Sequence, residues 1–164
     1  MSLVLHVLGP AAVLAYAVLG GVFLAFSDFI MRALSLQRGG GGVEAMQAIN
    51  REVFRWVFMP LFLGMAVVSL ALAAFGVFAP GALGGRTVAA AGLVYLLGCF
   101  AVTVVGNVPM NERLARLDRN DETSLVYWTD RYLPRWTTWN TVRTVACVSS
   151  AALLMHGLQS STSP

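Results

Sequence analysis

Three stretches of the chain, residues 3–26, 57–79 and 87–106, each run for twenty or more positions without an Asp, Glu, Lys or Arg. A bilayer core about 30 Å thick takes roughly 20 apolar helical residues to cross. All three stretches reach that length, and they are apolar all round, not along one stripe. A fourth apolar run, residues 144–158, is too short to span unless its helix starts near Trp136, which carries Asn140 and Arg143 into the helix. The pattern therefore predicts an all-α fold: a single integral membrane domain, a four-helix bundle with spans near 3–30, 56–79, 86–107 and 136–158, and both termini on one side.

The segments between spans follow a different rule. After the glycines 39–42, which read as a hinge, Val43, Met46, Asn50, Val53 and Val57 recur at helical spacing, with Glu44, Gln47, Arg51 and Arg55 elsewhere on the wheel. This predicts an amphipathic helix running into span two. Pro60, inside that span, predicts a kink. In the second long loop, Asp121 can cap a helix that shares Leu125, Trp128 and Tyr132 on one face and stops before Pro134. That helix should lie in the headgroup region. The polar tail 159–164 reads as disordered.

Composition agrees with the pattern. Hydrophobic residues make up 57% of the 164 and charged ones 12%, more apolar surface than a soluble domain of this size needs. The net charge of +3 does not point to nucleic acid, because the chain has no lysine and its 11 arginines are scattered among acids in the loops. Arg32, Arg38, Arg51 and Arg55 follow span one, Arg113, Arg116, Arg119, Arg131 and Arg135 follow span three, and Arg86 stands alone between spans two and three. The positive-inside rule then expects both long loops in the cytoplasm and both termini outside, as in a bacterial inner membrane protein. A cleaved signal peptide fits the first stretch poorly: nothing basic precedes it, and it ends in Ser27 and Asp28 instead of a small-residue cleavage site.

The chemistry depends on which polar groups share a depth. Ser27 and Asp28 end span one, Asn107 and Asn111 flank Pro109 at the end of span three, and Trp136, Trp139, Asn140 and Arg143 open span four. All fall near the loop end. On span four, Trp136, Trp139, Asn140, Arg143, Cys147 and Ser150 fall in one stripe. Leu24, Gly21 and Ala17 stack behind Asp28, and the two small residues suggest that this face turns inward. An ionised side chain alone in hydrocarbon costs at least about 2.5 kcal/mol, so Asp28 and Arg143 are expected to pair. That bridge could equally serve only to fix helix register. Pro109 predicts a break in span three, where Asn107 either lines a cavity or caps the helix.

Other chemistries find little support. Cys99 and Cys147 lie at different depths by residue count and read as buried small hydrophobes. His6 and His156 approach one outer depth, and two histidines without a third ligand make a poor metal site. There is no CxxC, HExxH, phosphate-binding glycine loop or nucleophile elbow, and no mid-membrane histidine to hold haem.

Four segments also carry a family resemblance: Gly21-Val-Phe-Leu-Ala-Phe-Ser-Asp-Phe-Ile-Met31, Ala45-Met-Gln-Ala-Ile-Asn50, Asn107-Val-Pro-Met-Asn111 and Trp136-Thr-Thr-Trp-Asn-Thr-Val-Arg143. In this order they resemble the anthrone oxygenase-like family of four-helix membrane proteins, whose bacterial members are mostly labelled as a domain of unknown function. The resemblance implies oxygenation of a flat phenolic or polyketide-like lipophile without metal, flavin or other cofactor. An anthrone has an acidic benzylic carbon whose carbanion reacts with dioxygen directly. Applied to these residues, the scheme makes Asp28 the base and has Arg143, Asn140 and Asn107 hold the oxyanion, with Trp136 or Trp139 stacked on the ring and Asn111, Ser27 and Asn50 completing the binding site. Partners would be membrane lipid, the lipophilic substrate and a second copy in a homodimer. The competing expectations are a small proton-coupled transporter in which Asp28 takes the proton, and a lipophile-binding or scaffold protein.

Overall fold

The computed structural model describes residues 3–78 and 84–160, with side chains from residue 8 onward. Among these residues the chain forms five continuous helices and no strand. Four are long and apolar enough to cross a bilayer: Leu8–Ser35, Phe58–Phe78, Gly85–Ala115 and Glu122–Ser160, here spans one to four. Span one begins at Leu3. The fifth is the amphipathic helix Gly41–Glu52. Leu14, Val67, Leu97 and Val145 belong to a broad exposed apolar surface, as expected of helices whose outer solvent is lipid. These helices make the chain an integral membrane protein.

Span one packs along span four, and span three lies between spans two and four. The bundle is held by Tyr16, Leu19, Phe23, Phe62, Tyr95, Cys99, Cys147 and Leu154. Close approach comes from small residues, as at Gly92, where an added Cβ would run into the backbone of Ser69 on span two. Two tyrosines tie the spans together inside this core. The Tyr16 and Ser69 hydroxyls are 2.7 Å apart, and Tyr95 donates to the Phe62 carbonyl over 2.9 Å.

A second, smaller core sits at the loop end. It is built from Met31, Val43, Met46, Leu114, Tyr127, Trp128, Tyr132 and Trp136. The amphipathic helix rests there, turning Gly42, Val43 and Met46 inward. Gln47 donates from Nε2 to the carbonyls of Leu114 and Leu117, at 2.8 and 2.9 Å, and so ties the amphipathic helix to the end of span three. Glu44 pairs with Arg119.

Several boundaries differ from the sequence expectation. The glycines 39–42 make a packed turn, not a hinge: Gly39 has φ +56°, Gly40 abuts the Arg119 carbonyl, and Gly42 lies against the Trp128 ring. The amphipathic helix ends at Glu52 and does not run on into span two, which starts at Phe58. Pro60 therefore stands in the first turn of span two, where its missing N–H costs nothing. Gln159 and Ser160 are helical, and the rest of the tail lies outside the described residues.

Spans three and four also run through the prolines expected to stop them. Span three contains a π-helical turn at Thr103–Asn107 and span four one at Trp128–Tyr132. Pro109 and Pro134 each follow two residues later. A proline ring collides with the carbonyl four residues back. Here those residues are Val105 and Asp130, both inside a widened turn, so the helix continues. Asp121 stands at the start of span four, but its carboxylate accepts from the Thr123 hydroxyl at 2.7 Å and makes no capping bond to the backbone. Cys99 and Cys147 bring their sulfurs within 3.5 Å as free thiols, where residue counting from the expected helix ends put them at different depths.

Candidate functional site

Where the two cores meet, the bundle opens into a cavity of about 440 Å³. That is enough for a small-molecule ligand of a few rings. Its walls are Val22, Phe23 and Phe26 from span one and Phe58, Met59 and Phe62 from span two. Met46, Ile49 and Asn50 of the amphipathic helix cover it, and Gln47, Arg51, Phe54 and Glu112 edge it. Span one also has a π-helical turn, Phe26–Ile30, so three of the four spans are widened at this end. Such turns shift the register of the side chains that follow and recur at functional sites.

Arg143 of span four reaches the cavity from its deep side and is only 5% exposed. Its Nη2 donates to Asn140 Oδ1 at 2.7 Å and its Nη1 to Thr103 Oγ1 at 3.3 Å, while Nε has no partner. The guanidinium carbon lies 4.3 Å from the centre of the Phe23 ring and 5.3 Å from that of Trp136. Flat aromatic faces on a guanidinium supply cation–π attraction and fix its plane. They supply no counter-charge. Among the described residues the ion pairs are Glu52 with Arg55 and Glu44 with Arg119, so Arg143 is a buried cation held by neutral groups.

Asn140 is fully buried and spends its amide locally. Its Nδ2 donates to the Phe23 carbonyl at 2.6 Å and to Ser27 Oγ at 2.7 Å. With both hydrogens used and its oxygen taken by Arg143, Asn140 locks span four to span one and aims the guanidinium. It has no donor left for a ligand oxyanion. A second network lies nearer the mouth. Asn111 Oδ1 accepts from the Tyr132 hydroxyl at 2.7 Å and from Trp136 Nε1 at 2.8 Å, and Asn50 Nδ2 is 3.5 Å from the same hydroxyl. The rings of Trp128, Tyr132 and Trp136 stack in sequence, with centroids 5.2 and 6.2 Å apart.

Of the residues expected from the sequence, Asn50, Asn111, Trp136, Asn140 and Arg143 do line one cavity. Ser27 lies one hydrogen bond behind it. The other three are elsewhere. Asn107 is buried but donates to the Trp136 carbonyl at 3.3 Å, so it neither caps a helix nor faces the cavity. Trp139 covers Gly106 and is 42% exposed. Asp28 is exposed, and the expected pairing with Arg143 is absent.

The reason for that last correction is a single residue of register. Ala17, Gly21, Leu24 and Asp28 do share a face, but it is the outer one: all four are exposed, and a Cβ on Gly21 would meet nothing within 4 Å. The small residue that packs is Gly20, against Cys147, and one helical position turns the face by about 100°. The sequence reading missed Thr103, Glu112 and the aromatic wall from span two. A helix apolar on all sides gives no signal for which of its phenylalanines faces the bundle.

Among the described residues no three His, Cys, Asp or Glu side chains converge as metal ligands. His156 is exposed, and the His6 side chain lies outside the described residues.

The helices and the cavity together define the class: a four-span integral membrane protein with a largely apolar cavity at one end and a buried cation at its floor. The chain belongs to the anthrone oxygenase family, whose model matches residues 54–153, more than half of the 164. That match takes in spans two and three and span four as far as Leu153, with Trp136, Asn140 and Arg143, and leaves out Phe23 and Asn50. No curated protein and no solved structure matches the chain.

Proposed function

We propose that the cavity binds a flat, lipophilic phenol or enol and that the protein is a cofactor-independent oxygenase of such a compound, an anthrone being the model substrate. The observation that carries this reading is the Arg143 guanidinium, buried without a carboxylate partner at the end of a chamber walled by phenylalanines. A buried unpaired cation costs several kcal/mol in desolvation. An oxyanion on the ligand offsets that cost, and it does so most fully when the charge develops during reaction.

The chemistry needs no group beyond substrate, protein and dioxygen. A ring methylene loses a proton and its electron pair moves onto the ring oxygen, where Arg143 holds it. The carbanionic carbon adds dioxygen, and the hydroperoxide loses water to leave a second carbonyl. The ring CH₂ and O₂ thus become C=O and H₂O. Asn140 and Thr103 position the guanidinium, and Trp136 presents an aromatic face to the same space. Membership of the family supports this reading, and the arginine-rich loops support a cytoplasmic position for the cavity mouth.

The protein reconstituted in lipid nanodiscs and given an anthrone in aerated buffer should consume oxygen and form the quinone in equal amounts, faster than protein-free discs. Arg143→Leu should return the rate to that of the discs alone. Oxygen uptake no faster than empty discs, across anthrones and related phenols, would sink the reading.

A further inference from the structure

Among the described residues Glu112 is the only acidic one in the wall of the cavity. It stands at the mouth, next to Asn111 on the last turns of span three, exposed to water. Among the described residues its carboxylate has no hydrogen bond or ion pair. The charged groups that line the same chamber are Arg51 on the amphipathic helix and Arg143 on span four; Arg113 and Arg116 flank it on its own helix.

The carboxylate and the deep guanidinium lie at opposite ends of the chamber. Thr103 Oγ1 marks the depth of the Arg143 guanidinium, 3.3 Å away, and Glu112 lies nine residues further along the same helix. At 1.5 Å per residue that is on the order of 13 Å between backbone levels. The Glu112 side chain shortens the gap, because Cα–Cβ bonds lean toward the N-terminus of their own helix and Glu112 therefore leans into the membrane. A ring bearing an oxygen, with a hydrogen-bond contact at each end, is of that order of length.

We infer that Glu112 is the catalytic base for the proposed substrate, the acidic C–H of an anthrone lying across the central ring from its oxygen. This rests on the reading of the cavity given above. The C–H bond breaks, the proton moves to a carboxylate oxygen of Glu112, and the electron pair passes through the ring to the oxygen held by Arg143. Water at the mouth then takes the proton from Glu112, which its exposure allows. A base at the floor beside Arg143 would need the acidic hydrogen next to the oxygen instead, and among the described residues the floor has no carboxylate.

The test separates proton removal from oxygen chemistry. Under anaerobic conditions in D₂O, the nanodisc-embedded protein should catalyse hydrogen–deuterium exchange at the ring methylene of an anthrone, followed by NMR. Glu112→Gln should lower that exchange at least 100-fold while ligand quenching of tryptophan fluorescence keeps its midpoint within twofold, and Glu112→Asp should restore part of the exchange. Because Glu112 is exposed at a helix surface, these variants have no packing to lose. Exchange by Glu112→Gln within threefold of the unaltered protein would overturn the assignment of Glu112 and leave the cavity reading standing. Absence of both quenching and exchange in the unaltered protein would overturn the cavity reading, and this proposal with it.

Discussion

Arg143 donates from Nη2 to Oδ1 of Asn140, one turn earlier on the same helix, across 2.7 Å. The acceptor is an amide, not a carboxylate, and that choice sets the character of the site. A carboxylate would neutralise the guanidinium and fix its plane. The amide fixes the plane and leaves the charge available to a ligand.

Removing that charge should harm function and spare the fold. Arg143→Met keeps a long apolar stem beside the Phe23 and Trp136 rings and removes a buried cation that has no carboxylate partner, together with its hydrogen bonds to Asn140 and Thr103. Thermal unfolding in nanodiscs should come at the same temperature or higher, while anthrone-dependent oxygen uptake falls by about 100-fold or more. Arg143→Lys should not restore it, because an ammonium cannot fill the flat slot between two rings. A large drop in unfolding temperature for Arg143→Met would show the guanidinium to be structural cement.

Asn140 should behave in the opposite way. Truncation to alanine takes the side-chain donor from the Phe23 carbonyl and leaves the Arg143 Nη2 without an acceptor in the core, while Ser27 keeps its contact with Thr141. Leaving such groups unsatisfied costs about 1–3 kcal/mol. Asn140→Ala should therefore unfold earlier, and it should also lose turnover through a misaimed Arg143. Asn140→Asp places a carboxylate on the guanidinium; it should keep the unfolding temperature closer to that of the unaltered protein and still lose activity, since the ligand's role as counter-charge is then taken.

What could be read from the sequence follows the strength of the physical signal. Apolar length fixed the spans and the all-α class, because lipid leaves the backbone no other way to satisfy itself. The polar face of span four was legible for a similar reason: Trp136, Asn140 and Arg143 are costly in hydrocarbon and must share a side. Asp28 was misplaced because a Gly20-Gly21 pair offers two packing faces about 100° apart and the sequence does not choose between them. Glu112 lies beyond the expected end of span three at residue 107, where Pro109 predicts a break. Only the π-helical turn at Thr103–Asn107 lets the helix carry Glu112 on to the cavity mouth. A widened turn has no sequence signature comparable to twenty uncharged residues.

The contact between spans two and three admits little change. A methyl group on Gly92 would press on the Ser69 carbonyl and the Ala73 nitrogen, both backbone atoms that cannot rotate away. Gly92→Ala should cost about 1–3 kcal/mol of stability, seen as a lower unfolding temperature. Gly64 lies on a surface where an added Cβ meets nothing within 4 Å. Gly64→Ala should be neutral or slightly stabilising through helix propensity, by up to about 1 kcal/mol. A reversal of this order would mean that spans two and three do not pack through Gly92.

Asp28 gives the sharpest contrast between sequence position and structural place. It stands within one residue of Ser27, which is hydrogen-bonded to Asn140, yet it points away from the bundle and touches none of the cavity residues. Asp28→Asn should therefore leave oxygen uptake and its pH profile within about twofold of the unaltered protein, and the unfolding temperature should move little, as for most exposed substitutions, which stay within about 0.5 kcal/mol. Ser27→Ala, one position earlier, should be felt, because it removes the acceptor of an Asn140 hydrogen. A carboxylate that carried protons through the bundle would behave otherwise: its amide would abolish pH dependence altogether. Loss of the acid-side pH response in Asp28→Asn, with Glu112 intact, would place the working carboxylate on span one and require that helix to be turned by one residue.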